Sequence, residues 1–133
     1  MKGTYLLLIK LPSDVNIQVG KRGLIHFSSG WYVYVGSALR GIERRVARHC
    51  SHNKKMHWHI DYLLESVSIV DVFYKEGTRK EECDVASRFL MKCDCIEGFG
   101  CSDCACCLSH LFYGSEGHLR SIIEQNEFQR FIH

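Results

Sequence analysis

A segment in the first half of the chain combines features that bind phosphate. An apolar stretch ends at Tyr34-Val-Gly-Ser-Ala38, and the basic stretch Arg44-Arg-Val-Ala-Arg-His49 follows shortly after it. We expect a strand that ends in a turn and opens into a helix, so that backbone N–H groups and guanidinium groups point at one spot. This arrangement predicts phosphate binding by Gly36, Ser37 and Arg48.

Two further side chains on the predicted helix can act on the same phosphate group. Arg45 and His49 are four residues apart, so they share one face of a helix. A guanidinium stabilises negative charge that develops on a phosphate, and an imidazole can position a group or accept a proton. The alternatives are a solvated basic face that binds nothing and a histidine packed in the core.

A second distinctive run is His57-Trp-His-Ile-Asp-Tyr62. His57 and Asp61 are four residues apart in this run and can bind a metal or support the site from behind. The alternative, which we prefer, is that Trp58 and Ile60 pack in the core, while Asp61 orients a neighbour through a hydrogen bond.

Cysteines are concentrated near the C-terminal end of the chain. Six of the eight lie between Cys93 and Cys107, and without an export signal this favours free thiols or a metal site over disulfides. A zinc site can be composed from the residues Cys101, Cys104, Cys106 and His110, although a second C-x-x-C pair is missing. We prefer a loop in which Asp103 and Cys104 orient backbone or tyrosine groups, and redox control of the thiols is a third option.

The hydrophobic pattern predicts the elements that must position these residues. Strands are expected over 3–11, 31–35 and 67–74, a hairpin over 16–27, and helices over 38–52, 56–65, 79–92 and 119–132. The order predicts an α+β fold, with a small, largely antiparallel sheet flanked by helices. We expect one domain over 1–133, with a core over 3–90, the inserted hairpin, and a cysteine-rich extension over 93–133. The helix patterns place these side chains in the core: Ile42, Val46, Cys50, Ile60, Leu63, Leu64, Val85, Ala86, Phe89 and Leu90.

Charge is distributed unevenly along the chain. Residues 1–59 contain ten Lys/Arg and two acidic residues, whereas residues 60–133 contain seven Lys/Arg and thirteen acidic residues. This indicates that the basic half meets a polyanion, unless the charges only solvate two faces. The apolar fraction of 46% with a single proline is typical of a folded chain. We see neither a membrane-length apolar run nor a signal-peptide pattern, so we expect a cytoplasmic protein with no membrane partner.

Two tyrosine motifs resemble a known signature. Gly3-Thr-Tyr5 and Tyr34-Val-Gly36 resemble the paired motifs of GIY-YIG nucleases, with Thr4 in place of the usual apolar residue and with residues 13–30 inserted between the motifs. Three runs are most similar to a small microbial subgroup of uncharacterised function, sometimes fused to endonuclease III: Tyr32–Ala38, His57–Tyr62 and Gly98–Cys104.

The resemblance implies roles for particular residues. Arg45 would contact the scissile phosphate, His49 would assist, and one of Tyr5 and Tyr34 would act as general base toward water. The family's metal-binding glutamate corresponds to Glu82, with Glu81 as the competing choice.

The implied activity is metal-dependent hydrolysis of nucleic acid by an endonuclease that uses Mg²⁺ or Mn²⁺, with DNA as the expected substrate. Two alternatives are kept. One is a catalytically silent module that binds nucleic acid through the basic face, and the other is an interaction protein based on zinc or thiols.

Overall fold

An antiparallel sheet organises the molecule. The computed structural model describes residues 1–51, 54–100 and 108–132. Within these ranges six strands form one sheet in the order β6-β7-β4-β1-β5-β8, and β2 and β3 form a separate two-stranded sheet. The strands are β1 (Gly3–Leu11), β2 (Val15–Val19), β3 (Gly23–Phe27), β4 (Gly30–Ala38), β5 (Ser68–Glu76), β6 (Asp94–Cys95), β7 (Leu111–Gly114) and β8 (Gln129–Arg130). The helices are α1 (Ile42–Cys50), α2 (His59–Leu64), α3 (Glu82–Leu90) and α4 (Glu116–Gln125). The predicted α+β class and antiparallel sheet are confirmed.

Two apolar cores lie on opposite faces of this sheet. Tyr5, Leu7 and Ile9 alternate with Leu6 and Leu8 along β1, and the two sets contribute to different cores. The hairpin, α1 and α2 cover the first face, whereas α3 and α4 cover the second. Because side chains alternate along a strand, a central strand buried on both faces must be apolar on both, as β1 is from Tyr5 to Ile9.

The phosphate-binding turn predicted at Gly36 is not present. Strand β4 continues to Ala38, since Tyr5, Thr4 and Gly3 of β1 pair with residues 36–38. The chain turns later, at Gly41, whose φ of 134° is one that glycine adopts readily, and α1 starts at Ile42 rather than at residue 38. The Gly-Ser pair therefore lies in a paired strand, and its N–H groups do not form a helix N-terminus.

The inserted hairpin packs on the first face of the sheet, the face that α1 and α2 also cover. Its strands β2 and β3 pair in register from Val15↔Phe27 to Val19↔Gly23, and a short 3-10 turn at Gly20–Arg22 connects them. Val19 and Phe27 are fully buried in the first core. The hairpin and its turn were predicted in these positions.

Other boundaries differ from the predictions. Helices α2 and α3 are shorter than predicted, and β5 ends two residues later. The predicted C-terminal helix is α4, which begins after Ser115 because the Ser115 hydroxyl caps the His118 N–H. The chain leaves α4 at Asn126 and reaches Glu127, whose φ is positive. Strands β6, β7 and β8 were missed because they are two to four residues long. Cys50 and Leu90 were predicted in the core but are exposed.

Candidate active site

A polar cleft opens at the end of the sheet where β1 begins and β4 ends. Its volume is about 190 Å³, and its lining residues come from strands, helices and loops: Tyr5, Tyr34, Gly36, Ser37, Arg45, Trp58, Lys80, Glu82, Gly100 and His110. The register pairs Tyr5 with Gly36 and Leu7 with Tyr34, so the two tyrosines are diagonal neighbours on one sheet face. Their ring centroids are 6.5 Å apart.

Gly36 is required by the ring of Tyr5. A Cβ atom at position 36 would overlap the Cζ atom and hydroxyl oxygen of Tyr5. The glycine therefore lets the tyrosine ring lie across the neighbouring strand, where it lines the cleft. This close approach links the two motifs in space and explains why a glycine follows Tyr34 by two residues.

We expect Gly36→Ala to destabilise the protein by about 1–3 kcal/mol, as overpacking of a filled site does. Urea unfolding measures the change. Gly117→Ala is the matched control, because Gly117 lies in α4 and an added Cβ would meet no atom within 4 Å. Alanine at position 117 should stabilise the helix by about 0.5–1 kcal/mol. A Gly36→Ala variant as stable as the wild type would show that the ring of Tyr5 moves aside freely.

Tyr5 and His49 form a buried pair behind the cleft. The Tyr5 hydroxyl and Nε2 of His49 share a hydrogen bond of 2.7 Å. Burial lowers the pKa of His49 to about 3, although the charge of Asp61 opposes this shift. The imidazole is thus neutral near pH 7. Its Nδ1 is buried and has no hydrogen-bond partner among the described residues.

Both cleft tyrosines hold their protons tightly. Burial raises the pKa of Tyr5, and the positive charge of Arg45 offsets only part of that increase. Burial also raises the pKa of Tyr34, and the neighbouring Tyr5 and Glu82 raise it further. A tyrosine in this state donates a hydrogen bond at neutral pH but is not ionised.

Cationic side chains stack around Trp58 at the wall of the cleft. The guanidinium carbons of Arg45 and Arg48 lie 4.4 and 4.2 Å from the centroid of the indole ring. Such stacking fixes the direction of a long side chain. Arg45 lines the cleft, and its positive charge acts on the hydroxyl group of Tyr5.

Arg48 is held by Asp61 rather than left free for a phosphate. Nη1 and Nη2 of Arg48 donate to the two carboxylate oxygens of Asp61 at 2.7 and 2.9 Å, and the Asp61 side chain is completely buried. The same carboxylate accepts the N–H groups of His57 and Trp58. Burial alone would raise the pKa of Asp61, but these four hydrogen bonds outweigh it and hold the pKa below its ordinary value. Asp61 thus orients its neighbours, as the alternative interpretation predicted.

Glu82 supplies the carboxylate of the cleft. It is the first residue of α3, its side chain is 14% exposed, and Nζ of Lys80 lies 3.4 Å from Oε1. Glu81 does not line the cleft, and its carboxylate lies toward Gly77 instead. Mg²⁺ is commonly bound by one or two carboxylates with water and substrate phosphate oxygens. Glu82 fits that donor set, whereas no group of three metal-ligating side chains occurs in the described ranges.

The opposite wall of the cleft contains residues that the sequence did not indicate as a group. Gly100 has a φ of 76°, its N–H donates to Nδ1 of His59 at 2.8 Å, and it packs against His110 and Tyr34. His110 is buried, burial lowers its pKa, and its Nε2 has no partner within the described part of the chain. His110 was predicted only as a possible zinc ligand, and Lys80 was not singled out. His110 reaches the cleft because β7 pairs with β4, which no local pattern reports, whereas Lys80 lies two residues before Glu82.

Six of the predicted site residues therefore line one cleft: Tyr5, Tyr34, Gly36, Ser37, Arg45 and Glu82. His49 lies behind Tyr5, and Arg48 and Asp61 form an ion pair beside the cleft. The side chain of His57 is exposed, and only its backbone N–H contacts Asp61. The predicted residues Cys101, Asp103, Cys104 and Cys106 lie outside the described residues.

No helix in the described ranges combines the length and apolar character needed to cross a membrane.

Comparison with known proteins identifies the family of this chain. No curated protein and no solved structure matches the chain significantly. One family model does match, over residues 4–131. The chain therefore belongs to the family of the domain of unknown function DUF123.

Proposed function

We propose that the protein hydrolyses phosphodiester bonds of nucleic acid with the help of a divalent cation, in the manner of GIY-YIG endonucleases. The convergence of Tyr5, Tyr34, Arg45 and Glu82 on one cleft carries the proposal. These side chains come from β1, β4, α1 and α3, and their types match what the reaction needs. Hydrolysis requires an activated water, a cation to stabilise charge on phosphorus oxygens, and usually a carboxylate-bound metal.

Arg45 provides the fixed positive charge in this proposal. Its guanidinium stacks on Trp58 and faces the cleft, so it is already oriented before substrate binds. Charge on the non-bridging phosphate oxygens increases in the transition state, and a preorganised cation stabilises it more than it stabilises the substrate. Lys80 adds a second, more exposed cation at the same cleft.

A relay through Tyr5 and His49 accepts the proton of the attacking water. A neutral tyrosine hydroxyl can take a proton only if it releases its own, and Nε2 of His49 lies 2.7 Å away to receive it. Because burial lowers the pKa of His49 to about 3, this imidazole holds the proton only transiently, and the negative charge of Asp61 favours its charged form during that time. Water then loses a proton to the Tyr5 oxygen, the Tyr5 proton moves to His49, and the water oxygen bonds to phosphorus while the bond to the leaving oxygen breaks. Solvent supplies the proton for that leaving oxygen.

Glu82 would hold Mg²⁺ or Mn²⁺ in the cleft. When bound, such a cation supplies Lewis-acid stabilisation of phosphate oxygens and lowers the pKa of a bound water. The Lys80 ammonium lies 3.4 Å from this carboxylate and helps to hold it in place, and the exposed Lys80 side chain can also reach toward phosphate.

A silent nucleic-acid-binding module is the second candidate. The raised pKa values of Tyr5 and Tyr34 favour it, because neither side chain can serve as a free base at neutral pH. Binding without cleavage would then rest on Arg45 and the basic residues near it.

Cleavage by the wild-type protein separates these two candidates, and Tyr5→Phe tests the relay. We expect it to lower cleavage of labelled plasmid, branched DNA or structured RNA by about 10²-fold in Mg²⁺ or Mn²⁺, because it interrupts proton transfer without changing the packing over Gly36. Tyr113→Phe is the control, since its exposed hydroxyl bonds to Ser29 away from the cleft. Unchanged cleavage in Tyr5→Phe would exclude the relay, and no cleavage by the wild-type protein on any substrate would favour the silent module.

A further inference from the structure

A basic groove runs directly beside the cleft. It has a volume of about 320 Å³ and is lined by Ala38, Arg40, Gly41, Arg44, Arg45 and Arg48. We call these six residues the basic groove. Arg45 lines both the groove and the cleft, so the two cavities meet at its side chain.

Three of the four arginines of the groove have no ion-pair partner in the part of the chain that the structure describes. Arg48 is neutralised by Asp61, but Arg40, Arg44 and Arg45 have no carboxylate within ion-pair distance among the described residues. Glu43, the acidic residue on the same helix, is paired with the N-terminal amino group at 3.2 Å instead. Several guanidinium groups around one cavity repel each other unless an anion lies between them.

The arginine charges of the groove lie next to the N-terminus of α1. The aliphatic part of Arg44 packs near Gly41, and α1 begins immediately after that glycine. The first turn of a helix adds partial positive charge from its N–H groups to the nearby guanidinium groups. Backbone N–H groups and guanidinium groups therefore both contribute positive charge that attracts anions to the groove.

We infer that the basic groove binds the phosphates that flank the scissile one, so that the substrate is a nucleic-acid strand continuing past the cleft rather than a nucleotide or a small diester. The inference rests on the proposed function for the position of the scissile phosphate. A polynucleotide carries regularly spaced phosphates. A row of arginine side chains that begins at Arg45, the cation of the cleft, can bind several of these phosphates at once.

The salt dependence of DNA binding tests the groove without requiring cleavage. Binding of a labelled DNA duplex is measured over a series of NaCl concentrations for the wild type and for the double variant Arg40→Gln, Arg44→Gln. Each lost phosphate contact reduces the slope of log K against log [NaCl] by about 0.9, so we expect the slope to fall by about 2. Both arginines are exposed, so the variant should unfold at the temperature of the wild type.

The double variant Arg88→Gln, Lys92→Gln removes the same charge from the opposite face of the sheet. These side chains make exposed hydrogen bonds to Asn126 and Gln125 and do not line the basic groove. We expect its slope to equal that of the wild type. An unchanged slope in the groove variant, or an equal fall in both variants, would overturn the inference.

Kinetics give a second, independent readout. For a long duplex we expect the groove variant to raise KM by about 10-fold or more with kcat little changed, because flanking contacts contribute binding rather than chemistry. Hydrolysis of bis(p-nitrophenyl) phosphate, a diester without flanking phosphates, should be the same in both proteins. If the wild-type protein cleaves nothing, the proposed function fails, and the salt slope still decides the groove. Binding to phosphatidylserine vesicles that needs both arginines, with an unchanged DNA slope, would overturn the inference in favour of a membrane surface.

Discussion

Replacing Glu82 with glutamine is expected to lower metal-dependent cleavage by roughly 10³-fold while nucleic-acid binding persists. Glutamine keeps the size of the side chain but removes the negative charge that attracts a divalent cation. A bound cation contributes several kcal/mol of transition-state stabilisation, and each ~1.36 kcal/mol is a factor of ten in rate, which gives this magnitude. Cleavage of a labelled substrate in Mg²⁺ and Mn²⁺, with binding measured in parallel, checks the expectation.

Glu81→Gln provides a matched control for this change. The two glutamates are adjacent in sequence, and both lie at the start of α3, where a negative charge interacts favourably with the helix dipole. Of the two, Glu82 alone lines the cleft. The two substitutions therefore have similar small effects on helix stability, and we expect Glu81→Gln to cleave at the wild-type rate.

The outcomes of the pair distinguish the hypotheses for the site. If Glu81→Gln lost cleavage while Glu82→Gln cleaved at the wild-type rate, the metal ligand would be Glu81 instead of Glu82. Equal activity of both variants would contradict a carboxylate-bound metal at the start of α3. Loss of binding together with cleavage in Glu82→Gln would indicate that the side chain supports the substrate surface rather than the chemistry.

Local patterns predicted the elements well where the chain itself sets their limits. Strand β1 was predicted from Gly3 to Leu11 because a largely apolar run ends at Pro12, and the structure has these bounds. The hairpin was also located, since glycines at positions 20 and 23 mark its turn. In both cases the signal lies in adjacent residues.

The end of β4 was mispredicted because its pairing is decided elsewhere. Gly36 and Ser37 have the local character of a turn, but Tyr5 and Thr4 on β1 continue the ladder past them. The same glycine also admits the ring of Tyr5, a contact between residues far apart in sequence. Tertiary pairing overrides local preference at such positions.

Contacts between side chains of different helices could not be predicted from the sequence either. Arg48 belongs to a basic run that was predicted to bind phosphate, and its engagement by Asp61 depends on the placement of α2 beside α1. His110 reaches the cleft because the short strand β7 pairs with β4. The motif residues could be predicted as a set, whereas their supporting residues required the fold.

Replacing Asp61 with asparagine is expected to destabilise the protein by about 3 kcal/mol and to lower Tm by about 10 °C. Removing one partner of a buried ion pair leaves the other without its counter-charge. The value is at the lower end of the usual range because the Arg48 side chain is 26% exposed and gains some hydration. The variant amide would also replace one acceptor oxygen with a donor, facing the N–H groups of His57 and Trp58. Thermal and urea unfolding measure the change.

Glu43→Gln is the control for loss of a carboxylate near α1. Glu43 pairs with the N-terminal amino group, and its side chain is 56% exposed, so we expect its replacement to leave the free energy of unfolding nearly unchanged. An Asp61→Asn variant that matched Glu43→Gln would show that the buried pair adds little, and that α1 and α2 are held in place by Ile42, Val46 and Ile60 instead.

The pH dependence of this difference identifies its electrostatic part. Because the folded-state pKa of Asp61 lies below its ordinary value, its charge stabilises the folded state fully above that ordinary value, near 3.8. The contribution is lost as the pH falls through the folded-state pKa, where the carboxylate takes up a proton in the native protein. The stability difference between wild type and Asp61→Asn should therefore be constant from neutral pH down to about pH 5 and shrink below about pH 4. A difference that stayed constant in acid would assign the loss to altered packing and hydrogen bonding rather than to the charge that Asp61 places beside Arg48.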